Sequence, residues 1–133
     1  MMDIRSIIQS QFHASLDMFE RAVIDCPDEL WNRDADNNRT WQLAYHTLFF
    51  VHLYLQPTEA DFVPREGHRD RYVDMGGDVA GDNEPLGDPL SKASVLEYLG
   101  FCRRELDRRG ASLDLAAESG FSWLPMTKLE LQI

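Results

Sequence analysis

The sequence predicts an all-α protein, and two observations carry this prediction. Residues 41–56, WQLAYHTLFFVHLYLQ, contain no charged side chain and are apolar nearly all the way round a helix. Such a helix is typical of the interior of a helical bundle. On either side of it, residues 4–26 and 92–109 carry apolar side chains at intervals of three and four, which is the spacing of one helix face. At 133 residues the chain is expected to form one domain, residues 1–133.

The first predicted helix runs from about Ile4 to Cys26. Asp3 is its expected N-cap, and Pro27 ends it because proline lacks a backbone N–H. Its apolar stripe consists of Ile4, Ile8, Phe12, Leu16, Phe19 and Val23. His13 falls outside that stripe and is predicted to be solvated.

The connection CPDELWNRDADNNRT is rich in turn formers, and we expect its Leu30 and Trp31 to fold back onto the core. Thr40 is the candidate N-cap of the second helix, which Pro57 closes. Two faces of this helix are apolar. One consists of Leu43, His46, Phe50 and Leu53, and the other of Trp41, Tyr45, Leu48, His52 and Leu55.

Residues 57–90 form a long crossover with five glycines and four prolines. Loops of this length in a compact domain are usually functional covers or disordered segments. The first half is expected to pack on the bundle through its aromatic and aliphatic residues, and the second half is expected to be mobile. The packing residues are Phe62, Val63, Tyr72 and Val73.

The third predicted helix runs from about Lys92 to Arg109, with Ser91 as N-cap and Gly110 as the C′ residue. Its apolar positions are Val95, Leu96, Tyr98, Leu99, Cys102 and Leu106. Four arginines gather in its last turns, where cations suit the helix dipole. They are Arg103, Arg104, Arg108 and Arg109. An anion contact at the end of the bundle is the alternative.

The C-terminal part is predicted to contain a short helical turn within residues 111–120 and then a new helix start. Thr127 and Glu130 have the spacing of a capping box. Because few residues follow Glu130, the fourth helix is expected to be incomplete in this sequence, either cut or shortened.

Composition excludes some functions. The net charge of −10 disfavours binding to nucleic acid and to anionic membranes, since both need clustered Lys and Arg. The N-terminus lacks the pattern of a signal peptide, and the longest apolar stretch is too short for a comfortable membrane span. Cys26 and Cys102 form no CxxC motif and are expected to be reduced thiols in a cytoplasmic protein.

The histidines are the candidate functional residues. A catalytic zinc-type site needs about three protein ligands and one open position. His46 lies on an apolar helix face, where an unpaired imidazole is costly, so it is either hydrogen-bonded in the core or a metal ligand. His52 follows six residues later, about 120° further round the helix, so the two cannot easily bind one ion. His68 would join only if the crossover folds over the bundle.

Four segments resemble the DinB/YfiT-like superfamily. They are CPDELWN, TWQLAYHTLFFVHLYL, PLSKASVLEYLGFCRREL and MTKLELQI, of which WQLAYHTLFF is the most specific piece. The resemblance covers essentially the whole chain. It implies an up-down-down-up four-helix bundle with a long crossover between helices 2 and 3, and a fourth helix that is truncated in this chain.

The resemblance also implies a divalent metal, nickel or zinc, bound by three histidines, and His46 matches the ligand from the second helix. The family's other two ligands form an HxxxH-like pair in the fourth helix, which this sequence lacks. The implied site is therefore incomplete unless a second chain or another residue contributes. Some relatives are thiol-dependent transferases or isomerases, which implies a low-molecular-weight thiol as substrate. No catalytic residue can be named.

Two functional hypotheses follow, with a third that the charge disfavours. The first is a metal-dependent thiol S-transferase or hydrolase, with His46 as a ligand and residues 57–90 as a lid. The second is a non-catalytic helical protein that binds no metal and self-associates, expected as a homodimer, because an incomplete fourth helix leaves apolar faces uncovered. DNA binding is the third, and the net charge of −10 argues against it.

Overall fold

The computed structural model describes residues 3–33, 38–69, 72 and 88–133. Within these ranges the chain forms five α-helices and no β-strand, which confirms the all-α prediction for this part of the protein. The helices are α1 (Ile4–Asp25), α2 (Asp28–Trp31), α3 (Thr40–Tyr54), α4 (Lys92–Gly110) and α5 (Lys128–Gln132), with a 3-10 turn at Glu59–Asp61. None of the described helices combines the length and apolar character that crossing a bilayer requires.

The two longest helices, α1 and α4, begin where the sequence predicts. Asp3 caps α1 by accepting a hydrogen bond of 3.2 Å from the backbone N–H of Arg5. Ser91 caps α4 by accepting one of 3.1 Å from the backbone N–H of Ser94. Both caps satisfy N–H groups that a helix leaves without partners in its first turn. α1 ends one residue before the predicted Cys26, which is extended because a proline follows it.

Gly110 differs from its predicted place just beyond the third helix. It is the last residue of α4 and has no positive φ. A Cβ at this position would lie only 2.7 Å from Nε2 of Gln9 on α1, and the Gly110 carbonyl accepts a hydrogen bond of 2.6 Å from Nη1 of Arg5. The glycine therefore allows α1 to approach the end of α4 closely.

Charged groups link α1 to α4. Arg103 contacts both Asp17 and Glu20, with N···O distances of 2.6 Å to each. His13, predicted to be solvated, is partly exposed but also has a protein partner. Its Nε2 lies 2.7 Å from Oδ1 of Asp107. Partly exposed ion pairs of this kind contribute at most about 1 kcal/mol each. The predicted interaction with the helix dipole therefore does not by itself account for Arg103, because this arginine also forms ion pairs with carboxylates of α1.

The described part of the connection before α3 contains a helical turn that the sequence did not predict. This turn is α2, and Trp31 is buried with its Nε1 donating 2.7 Å to a backbone carbonyl just before α4. Leu30 does not fold back onto the core, since it is 38% exposed. The N-cap of α3 is Arg39 and not Thr40, and the Arg39 N–H donates to Oε1 of Gln42 at 2.9 Å.

α3 buries one face and leaves another partly open. The buried face is the predicted second face, and its members include Trp41, Tyr45, Leu48, His52 and Leu55. The other predicted face is mixed, because Leu43 is 46% exposed whereas Leu53 is buried. His46 and Phe50 are half-buried on that side. The expectation of a helix buried on most sides is therefore correct for one face only.

The core lies where α4 packs against both α1 and α3. Fully buried side chains from α3 and α4 form its centre. They are Trp41, Leu48, Val95, Leu99, Cys102 and Leu106. α1 contributes Leu16 and Val23 from its predicted stripe. α4 is therefore the helix against which both α1 and α3 pack.

The first half of the crossover packs on the helices, as predicted. Tyr72 is 5% exposed, and its ring meets that of Trp41 edge to face at a centroid distance of 5.2 Å. Phe62 is half-buried, but Val63 is 73% exposed and does not pack as expected. Val73 and the predicted mobile second half lie outside the described residues, apart from residues 88–90.

The C-terminal segment follows a different path from the predicted one. Residues 111–120 contain no helix, and an antiparallel bridge joins Glu118 to Thr127. The predicted capping box is confirmed. The Thr127 N–H donates to Glu130 Oε1 at 3.0 Å, and the Glu130 N–H donates to Thr127 Oγ1 at 3.2 Å. This box begins α5.

Gly120→Ala is expected to lower the free energy of unfolding by at least about 2 kcal/mol, since the left-handed backbone costs about 1 kcal/mol or more and overpacking adds about 1 kcal/mol or more. Gly120 has φ +85°, and an added Cβ would lie 2.1 Å from the carbonyl oxygen of Pro57. Gly67→Ala is the matched control, since Gly67 has φ +83° but no atom within 4 Å of such a Cβ. Urea unfolding measures both, and equal losses would show that the Pro57 contact has no effect.

Candidate functional site

His46, the predicted metal ligand, lies on the partly open side of α3. It is half-buried, and its ring centroid is 4.7 Å from that of Phe50, one turn further along the helix. Phe50 in turn lines a groove between α1 and α3. The predicted ligand therefore does not line the groove itself; it contacts a residue that does, and it is not fully buried in the core.

The α1–α3 groove has a volume of about 510 Å³. Its lining comes from both helices and from the end of α5. The residues are Ile8, Gln11, Phe12, Ser15, Thr47, Phe50, Val51, Tyr54, Leu131, Gln132 and Ile133. All of these side chains are uncharged, in a chain with a net charge of −10. An uncharged, largely apolar groove between two helices suits an apolar helix face or an apolar part of a ligand.

The other three histidines have partners elsewhere. His13 contacts Asp107, and His52 shares a hydrogen bond of 2.9 Å with the hydroxyl of Tyr98. Nδ1 of His68 bonds the hydroxyl of Tyr45. Among the described residues, no group of three or more His, Cys, Asp or Glu side chains could hold a metal ion. The described residues therefore do not supply three such ligands to one ion.

Polar side chains meet in the core between α3 and α4, beside the His52–Tyr98 pair. Gln56 Nε2 donates to the backbone carbonyl of His52 and to Oε2 of Glu105, both at 3.1 Å. Glu105 is only 7% exposed. It also accepts hydrogen bonds of 3.0 and 2.7 Å from Nε and Nη2 of Arg108. These contacts connect α3 to the last turns of α4.

The environment decides the charge of each group in this polar region. Burial lowers the pKa of His52 from 6.5 to about 4, with Glu105 opposing the shift, so the imidazole is neutral at pH 7. Burial also opposes ionisation of Glu105, but hydrogen bonds from Gln56 and Arg108 overcome it and lower the pKa of this carboxyl. Burial raises the pKa of the Tyr98 hydroxyl above its usual range. The region therefore contains one anion that already has partners.

Cys102 is not a nucleophile in this setting. Its side chain is fully buried, and its Sγ donates a hydrogen bond of 3.6 Å to the backbone carbonyl of Leu48. Burial raises its pKa to about 12. Since the thiolate is the reactive form, this thiol is a packing residue.

A second concave surface, of about 1030 Å³, is lined mostly by the C-terminal residues 112–130. Lys128 is 3% exposed there, and its Nζ lies 4.8 Å from the ring centroid of Phe121. The amine donates 2.8 Å to the backbone carbonyl of Gln56, while burial lowers its pKa. Through this hydrogen bond Lys128 attaches the C-terminal segment to the residues that follow α3.

Sequence reasoning missed most of the buried polar region. Gln56 and Glu105 are 49 residues apart in the chain, and neither lies in a motif. One signal was present, because Glu105 lies directly beside Leu106 of the apolar stripe of α4, at a position that a helix can turn toward the core. A charged residue at such a position predicts a buried partner.

No family model, no curated protein and no solved structure matches the chain.

Proposed function

We propose that the chain is a DinB-like four-helix-bundle protein that binds a divalent metal, nickel or zinc, with His46 as one ligand. The single observation that carries this proposal is the ring contact of His46 with Phe50, a residue that lines the α1–α3 groove. A helix lying in that groove would bring its own side chains next to His46. The end of α5 lines the same groove, so a fourth helix that continued from α5 would lie along the groove.

We place the remaining ligands outside the described residues, among which no group of three or more His, Cys, Asp or Glu side chains could hold a metal ion. The family resemblance supplies the chemistry of those ligands, an HxxxH pair on a helix in the groove. Histidines four residues apart share one helix face, so both can bind one ion. For activity we propose a metal-dependent thiol S-transferase or hydrolase, with a low-molecular-weight thiol as the substrate of a transferase.

Metal analysis tests the proposal. The 133-residue chain is compared with a form extended at its C-terminus by a helix that carries an HxxxH pair, both purified without chelator. We expect the lengthened form to hold about one nickel or zinc ion per chain, as a site of three histidines and an open position would. His46→Gln should weaken that binding by at least about tenfold.

His13→Gln is the matched control, because His13 is also half-buried but contacts Asp107 on the far side of α1 from the groove residues. It should leave metal binding unchanged. A lengthened form without stoichiometric metal, or equal binding by the two variants, would refute His46 as a ligand. Turnover of a small thiol with an electrophilic partner, lost in His46→Gln alone, would support the transferase.

A non-catalytic protein that self-associates through the groove is the second candidate. It is favoured by exposed apolar side chains on the two helices that flank the groove, such as Ile4 at 51% and Leu43 at 46% exposure. Exposed apolar surface of this kind commonly marks an interaction site. Sedimentation velocity on the same samples distinguishes the candidates, since this one predicts a metal-free dimer and a monodisperse monomer would contradict it.

A further inference from the structure

Residues 62–69, which we call the strap, cross the surface where α3 meets α4. At one end the ring of Phe62 packs on that of His52, with centroids 4.7 Å apart. At the other end His68 stacks on Tyr45 at a centroid distance of 5.8 Å and bonds its hydroxyl. Both ends of the strap are thus attached to the same helix, α3.

The middle of the strap is held by α4. The guanidinium carbon of Arg65 lies 5.1 Å from the ring centroids of both Tyr98 and Phe101, a cation–π arrangement. Nη2 of Arg65 also lies 3.3 Å from Oε1 of Glu97. The same two rings enclose His52, whose Nδ1 is 2.9 Å from the Tyr98 hydroxyl and whose ring centroid is 4.8 Å from that of Phe101. A fixed cation and a titratable imidazole therefore share one aromatic pair.

We propose that the strap is a proton-responsive cover, closed while His52 is neutral and released when His52 gains a proton. Protonation would place a second cation against the two rings that Arg65 already occupies, and like charges in a poorly hydrated site repel strongly. His52 is 3% exposed on a rigid helix, whereas the Arg65 side chain is 28% exposed on a loop. Arg65 is the cation that can move into water, and the strap moves with it.

The groups around His52 set the pH at which this occurs. Tyr98 and Glu105 face it from α4, and Arg65 faces it from the strap. The pKa of His52 is lowered to about 4, chiefly by burial; Glu105 opposes this shift and Arg65 adds to it. Glu97 pairs with Arg65, and Glu105 already accepts hydrogen bonds from Gln56 and Arg108. We therefore expect the strap to be released near pH 4.

A titration of the His52 Cε1–H resonance by NMR tests the coupling between the strap and His52. Arg65→Gln should raise the midpoint by about one pH unit, because the neighbouring cation is gone. Arg69→Gln is the matched control, since it removes an equal charge from the same strap at a position over Tyr72. Equal midpoints in the two variants would overturn the proposal.

Hydrogen exchange, corrected for the intrinsic pH dependence, tests the release itself. In the wild-type chain the strap should lose protection as the pH falls through the His52 midpoint, while α1 and α4 stay protected. In His52→Gln, which cannot gain a proton, the strap should remain protected over the same range. The proposal fails if the strap opens equally in this variant, or if strap and helices lose protection together. If His52→Gln does not fold, the Arg65 and Arg69 variants still decide the question.

Discussion

Replacing Leu48 with alanine is expected to lower the free energy of unfolding by about 2–5 kcal/mol. Leu48 is fully buried on α3, and its carbonyl accepts the Cys102 Sγ hydrogen bond from α4. Truncation would leave a cavity that close-packed neighbours such as Trp41 cannot fill without losing their own contacts. The loss is large against a typical total stability of about 5–15 kcal/mol. Urea unfolding followed by far-UV circular dichroism measures it.

Leu43→Ala is the control for this substitution, because it makes the same chemical change on the same helix. Leu43 is 46% exposed, so little apolar surface returns to water when it is truncated. Its expected effect is within about 0.5 kcal/mol. Similar losses for Leu43→Ala and Leu48→Ala would mean that the buried face of α3 has been misassigned.

The long helices could be predicted because their signals are local. α1 and α4 each carry a regular apolar stripe and a side-chain cap, Asp3 and Ser91, and all of these features lie within a few residues of each other. The capping box that begins α5 is local in the same sense. Such features do not depend on how the rest of the chain folds.

The faces of α3 could not be ranked from its sequence. When nearly every position is apolar, periodicity cannot tell which side meets α4 and which borders the groove. The tertiary arrangement decides that Leu48 is fully buried and Leu43 is not. The one-turn α2 was missed for a related reason, since its Trp31 is held by a hydrogen bond to Leu90, 59 residues away.

In the candidate site, too, the features that could be predicted are local in the sequence, and those that could not depend on the tertiary structure. His46 could be named because a sequence segment carries it, and its role as a ligand stays a prediction. The contacts of His52 with Tyr98 and of Arg65 with Phe101 join segments that are far apart in the chain. Such pairs have no spacing rule in a single sequence, so their geometry could come only from the folded chain.

Lowering the pH from 6.5 to 4 is expected to remove roughly 3 kcal/mol of stability through His52 alone. Burial lowers the pKa of His52 from 6.5 to about 4 in the folded protein. Between these values the unfolded chain binds a proton that the folded chain refuses, so unfolding becomes more favourable as the pH falls. The contribution is fully present above pH 6.5 and is lost progressively down to the folded pKa.

Urea unfolding at a series of pH values, on the wild-type chain and on His52→Gln, isolates this contribution. Carboxyl groups with a lowered pKa that are not coupled to His52, such as Glu130, also contribute less stability in acid, but they titrate in both proteins and cancel in the difference. The variant should be less stable than the wild type at pH 7, because glutamine leaves the Tyr98 hydroxyl and the Phe101 ring imperfectly packed. As the pH falls toward 4, the gap should close by roughly 3 kcal/mol. A gap that stays constant over this range would mean that His52 gains its proton as readily in the folded protein as in the unfolded one.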